Sequence, residues 1–104
     1  MEKAPEFKKS EWEDETALYT DKIKNFFAGG VKKRYDSMNE LHFSGGSSNL
    51  INELKEGKAN IIRINVFREN EEIKQIAVVI GREEKGGYLD VYLKGNALKD
   101  FLES

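Results

Sequence analysis

Between Asn60 and Lys94 the chain alternates aliphatic and polar residues with a period of two, in three short runs. Ile62, Ile64 and Val66 share one side of the first run, Ile76, Val78 and Ile80 one side of the second, and Leu89, Val91 and Leu93 one side of the third. A helix turns every 3.6 residues and would wind such a stripe around its axis. Only a strand with one buried face keeps it straight. Residues paired across a hairpin must share a face, so the three runs predict an antiparallel meander. Pairing Val66–Ile76, Ile64–Val78 and Ile62–Ile80 demands an odd first loop, read as Asn70-Glu71-Glu72, though five residues would keep the same parity. Pairing Ile80–Leu89, Val78–Val91 and Ile76–Leu93 demands an even second loop. Glu83-Glu84-Lys85-Gly86 fits, with Gly86 able to take a positive φ.

A sheet with one aliphatic face needs a cover, and the flanking segments predict amphipathic helices. From Glu11, the residues Trp12, Thr16, Tyr19, Ile23, Phe26 and Phe27 fall within one arc at 100° per residue, so a helix with an aromatic stripe is expected to lie over the sheet. Glu11, Glu13, Asp14 and Glu15 would sit in its first turn, where they complement the helix dipole, and Gly29-Gly30 would stop it. Val31, Tyr35 and Met38 predict a second helix across residues 31–41, and Leu41 to Ser44 alternates as a short extra strand would. Ser47 or Ser48 is placed to cap a short helix that ends near Glu56 with Gly57 as its stop, burying Leu50, Ile51 and Leu54. Asn96 is expected to cap a last helix whose Ala97, Leu98, Phe101 and Leu102 form an apolar edge. The fold class is therefore α+β: N-terminal amphipathic helices on a three-stranded meander, or a four-stranded one with the extra strand, and a short C-terminal helix. Residues 1–10 read as a flexible tail, and 11–104 as one domain.

Composition excludes several classes of function. A net charge of −2 gives no overall attraction to nucleic acid. Cysteine is absent, which removes disulfides and thiolate metal sites. His42 is the lone histidine, so neither a transition-metal site nor a Ser-His-Asp relay through Ser44 or Ser47 has its usual spacing, and no cofactor is expected. No apolar run approaches the ~18–20 residues that span a bilayer, and the charged first ten residues lack a signal-peptide core. A cytoplasmic, non-enzymatic protein with no membrane contact is the expectation.

The candidate binding surface is the other face of the meander. It carries Arg63 and Phe67 on the first strand and Tyr88, Tyr92 and Lys94 on or beside the third, with Asp90 between the tyrosines. Tyrosine and arginine favour protein interfaces. Aromatics interleaved with cations can also stack bases and pair phosphates, against which Asp90 counts. The same residues would suit a solvated face whose tyrosines favour strand formation, or a face covered by the remaining helices. A protein partner is the first reading, with single-stranded nucleic acid as the alternative. The two edges expected of a meander predict a monomer or a weak homodimer formed by edge pairing. Lys22, Lys24, Lys32, Lys33 and Arg34 cluster as a solvated helix end would. Ser44 to Asn49 resembles, over six residues, the glycine-rich loop of actin-like ATPases. Those folds need several times this length, and the Walker lysine is missing, so the segment reads as a loop with a helix cap.

Overall fold

The computed structural model describes residues 12–29, 35, 40–45, 49–82 and 88–104. In chain order these form β1 (Trp12–Asp14), α1 (Thr16–Ala28), β2 (Leu41–Ser44), α2 (Asn49–Lys55), β3 (Asn60–Glu69), β4 (Glu72–Gly81), β5 (Tyr88–Leu93) and α3 (Gly95–Glu103). The class is α+β, as the alternation predicted. The sheet has five strands in the order β1-β3-β4-β5-β2, each pairing antiparallel with its neighbour. The three-stranded meander is its centre, and the two additional strands close on either side. The edges expected on β3 and β5 are thus occupied by β1 and β2.

One layer of helix covers one face. Ile64, Val66, Ile76, Val78, Ile80, Leu89, Val91 and Leu93 point inward at 0–1% exposure. They join Ile23, Phe26 and Phe27 of α1, Leu50, Ile51 and Leu54 of α2, and Ala97, Leu98 and Phe101 of α3 in a single core. Phe101 is its aromatic hinge, meeting Phe26 at 5.5 Å and Tyr19 at 5.7 Å, both edge-on. The Arg82 guanidinium holds α2 to the end of β4 through a two-pronged contact with Glu53, at 2.6 and 2.7 Å. The last turn of α2 closes on Gly57 at φ +81°, where Gly57 N–H reaches Leu54 O and Lys58 N–H reaches Glu53 O, so the left-handed glycine satisfies the final carbonyls.

The β4–β5 hairpin has the register that the alternation demanded, with Ile76↔Leu93, Val78↔Val91 and Ile80↔Leu89. The loop expected at Glu83 to Gly86 lies outside the described residues. The β3–β4 hairpin departs from expectation at both ends. Val66↔Ile76 and Ile64↔Val78 hold, but Ile61 rather than Ile62 pairs with Ile80. Ile62 is an extra residue in a bulge. It turns to the outer face at 49% exposure, while Ile61 packs beside the core. At the other end the turn is the two-residue Asn70-Glu71, with φ of 54° and 68°, and Lys74 is the extra residue that restores parity. Parity was a sound constraint. A bulge met it instead of a third loop residue.

The first helix begins later than its stripe implies. Trp12 belongs to β1, not to α1, and pairs with Phe67. Glu13, Asp14 and Glu15 accordingly lie before the helix rather than in its first turn, and Glu11 lies outside the described residues. Strand pairing wins here because it satisfies backbone groups along β3 that solvent would otherwise have to satisfy. Glu15 N–H donates to Ile64 O at 2.9 Å, and the Thr16 hydroxyl accepts from Ile64 N–H at 2.9 Å while donating to Asp14 Oδ1 at 2.6 Å. One threonine thus extends the β1–β3 ladder and starts the helix. Arg68 reinforces the same junction through Glu13 and Glu15.

Other expectations change less. Lys94, not Asn96, is the N-cap of α3; Asn96 Nδ2 donates to Glu40 Oε2 at 2.8 Å. Leu102 is 37% exposed and leaves the apolar edge to Ala97, Leu98 and Phe101. The flexible tail of residues 1–10, most of the helix expected over 31–41, the Ser47 and Ser48 cap, and Lys32, Lys33 and Arg34 of the basic cluster lie outside the described residues. Lys22 does not stand free: its ammonium lies 5.2 Å from the Phe101 ring centre.

Candidate functional site

All three helices lie on the inner side, so among the described residues no element crosses the outer face of the sheet. Strand register arranges that face in rows. Trp12, Phe67 and Gln75 form the first row. Asp14, Asn65, Ala77, Tyr92 and His42 form the second. Arg63, Val79, Asp90 and Ser44 form the third, and Gly81 and Tyr88 the fourth, with the bulged Ile62 beside them.

The predicted residues all lie on or beside this face, but not as one cluster. Phe67 is half-buried and meets Trp12 with ring centres 5.3 Å apart. Tyr92 is also half-buried and stacks on His42 at 6.1 Å, with 29° between the rings. Tyr88 stands away from both, four residues from Tyr92 along β5 or about 13 Å at strand spacing, and is 54% exposed. Its ring lies over Gly81, where a β-carbon would come within 2.6 Å of it and within 3.4 Å of Ile62. A side chain at this position would displace the Tyr88 ring. Arg63 is exposed across Val79 from Asp90, and half-buried Lys94 sits just past the end of β5.

Three aromatic spots therefore surround a floor of small residues, Ala77 and Val79, both half-buried. Charge is balanced around them: Arg63 and Lys94 oppose Asp14 and Asp90. Two hydrogen bonds from Thr16, with a smaller contribution from Arg63, hold the Asp14 carboxyl below the usual range, so it carries its charge at neutral pH. Alternation alone missed Trp12, His42 and Ile62. His42 was within reach, since its parity in the Leu41–Ser44 run sets it beside Tyr92. The bulge that exposes Ile62 leaves no mark in the pattern of side chains.

Among the described residues there is no group of three or more His, Asp or Glu able to hold a metal ion. An open groove of about 770 Å³ lies between α1 and the end of α3, lined by Leu18, Lys22, Asn25 and Asp100 among others. It lies away from the aromatic face. No described helix is long and apolar enough to cross a membrane. Comparison of the chain with protein-family models, curated proteins and solved structures returns no match.

Proposed function

We propose that this protein is a small non-enzymatic binding module, of adaptor, inhibitor or regulatory type, acting in the cytoplasm through protein contacts made by the outer face of its sheet. One observation carries the reading: among the described residues no helix crosses the aromatic face, and its charges are balanced. Large flat side chains with few rotatable bonds lose little entropy when a partner covers them. Phe67 with Trp12, Tyr92 with His42, and Tyr88 over Gly81 are such anchors, and small residues between them let a partner approach closely. A phosphate backbone would meet as many carboxylates as cations here, which favours protein over single-stranded nucleic acid.

The test is cross-linking in the native cell followed by capture of the tagged chain. Tyr92→Ala is expected to fold and to recover at least about tenfold less of the cross-linked protein, the scale of an aromatic hot spot. Recovery unchanged by both Tyr92→Ala and Phe67→Ala would remove the outer face from consideration. Binding that survives protease, disappears with nuclease and falls steeply with salt would move the assignment to nucleic acid.

A further inference from the structure

The outer face is complementary to itself about β4. This strand carries Ala77, Val79 and Gly81 along its middle, flanked by β3 and β5 and then by β1 and β2. A half-turn about an axis in the plane of the face and along β4 exchanges β3 with β5 and β1 with β2. Two copies stacked by that operation bring each residue opposite its own row-mate on the other side of β4.

The pairings follow from register. Arg63 and Asp90 share the Val79 row, so each guanidinium meets the carboxylate of the other copy. Asp14 and His42 occupy the two ends of the Ala77 row, so the Asp14 carboxylate faces an imidazole. Asn65 faces Tyr92 in the same row, an amide against a phenol. At the Gly81 end Ile62, 49% exposed, meets Tyr88, 54% exposed. No charge meets its like, and at Ala77 and Val79 the axis runs over residues small enough for close approach, while at Gly81 it passes the Tyr88 ring. An axis across the strands at Val79 would instead set Arg63 on Arg63 and Asp90 on Asp90. Stacked sheets lie ~10 Å apart with strands turned by about 30°, so the axis is tilted about 15° from β4 and the central rows stay matched.

We infer that the outer face is a two-fold interface between two copies of this chain, with Arg63 and Asp90 paired reciprocally across it. The inference rests on the reading of this face as a protein-binding surface and names its partner. Five strands at ~4.8 Å and about six residues at ~3.3 Å give roughly 500 Å² per copy. That falls below the ~800 Å² of a standard interface, so the dimer is weak and reversible. The association runs through the sheet face and leaves the β1 and β2 edges aside.

Sedimentation equilibrium of the full chain from about 10 µM to about 1 mM, the range of weak complexes, tests it. The wild type should shift from monomer to dimer across that range. Arg63→Asp and Asp90→Arg should each weaken the dimer at least about tenfold, because each change places two like-charge contacts across the axis. The double variant should recover to within about threefold of wild type, which also shows that both sites tolerate the changes without unfolding. Val79→Cys in this cysteine-free chain should give a disulfide-linked dimer on air oxidation, and Leu18→Cys on the helical side should not. A wild type that stays monomeric at about 1 mM, or a double variant no better than the singles, overturns the two-fold interface. Loss of cross-linked protein in Tyr92→Ala beside a monomeric wild type would leave the binding-face reading standing. Unchanged recovery in Tyr92→Ala and Phe67→Ala beside a monomeric wild type would remove both.

Discussion

The two faces of one sheet obey different rules. On the inner face the aliphatic residues of β3, β4 and β5 are sealed at 0–1% exposure under three helices. On the outer face, residues one position away along the same strands are half-exposed, aromatic or charged, and each row mixes types. The inner face is set by volume, because a close-packed core registers the loss of a single methylene. Among the described residues no helix packs on the outer face, so its aromatics and its charge pattern call for another reason. The proposed contact with a second surface supplies one.

The largest test of the contrast is Val78→Asp. Val78 is fully buried at the middle of the central strand. An unpaired carboxylate there should cost more than about 4 kcal/mol and abolish the cooperative melt. A variant that still melted within a few degrees of wild type would mean that the inner face is not the core.

Next comes the rim of the inner face, where the chain leaves β1 for α1. Arg68 donates to Glu15 Oε2 at 2.6 Å and to Oε1 at 3.4 Å, which holds the Glu15 carboxyl below the ordinary glutamate range. A carboxyl whose folded pKa is lowered adds stability above its unfolded pKa of about 4.3, and that stability is lost as pH falls through the folded value. Glu53, lowered by Arg82, has the same sign. Urea unfolding should therefore show wild type losing more stability than Arg68→Gln between about pH 6 and about pH 3. Parallel losses would mean that Arg68 does not set the titration of Glu15.

The parts legible from sequence were those fixed by side-chain periodicity. The register of β4 and β5, the burial of Ile64, Val66, Ile76 and Val78, and the stop at Gly57 all follow from residue type and spacing. Placement of the candidate residues on the outer face follows from the same parity. What escaped was set by backbone hydrogen bonding, which side chains report poorly. Trp12 fits a helical arc as well as a strand, and the choice falls to a ladder with β3 that Thr16 completes through its hydroxyl. The bulges at Ile62 and Lys74 are equally silent, since an extra residue changes parity without changing composition.

A smaller effect is expected at the β3–β4 turn. Asn70 suits a positive φ, but Glu71 at φ 68° has a side chain crowding its own carbonyl. Glu71→Gly should stabilise the fold by about 1 kcal/mol in urea unfolding, because a two-residue turn of this hand favours Asn-Gly. A destabilised variant would mean that the turn is wider than two residues and that the parity at Lys74 has another origin.

The smallest effect should come from Ile62→Thr, and it separates the two faces most finely. In the alternation Ile62 is equivalent to Ile64, and both look like core. The bulge makes them opposites, with Ile64 fully buried and Ile62 49% exposed beside Gly81 and Tyr88. Threonine keeps the branched β-carbon that suits a strand, so Ile62→Thr should change the stability of the monomer by no more than about 0.5 kcal/mol. Ile64→Ala, two positions away on the inner face, should cost roughly 2–5 kcal/mol in the same experiment. Equal large losses would return Ile62 to the core and remove the bulge. A neutral Ile62→Thr that nonetheless weakened self-association would tie this isoleucine to the outer surface, facing Tyr88 of a second copy.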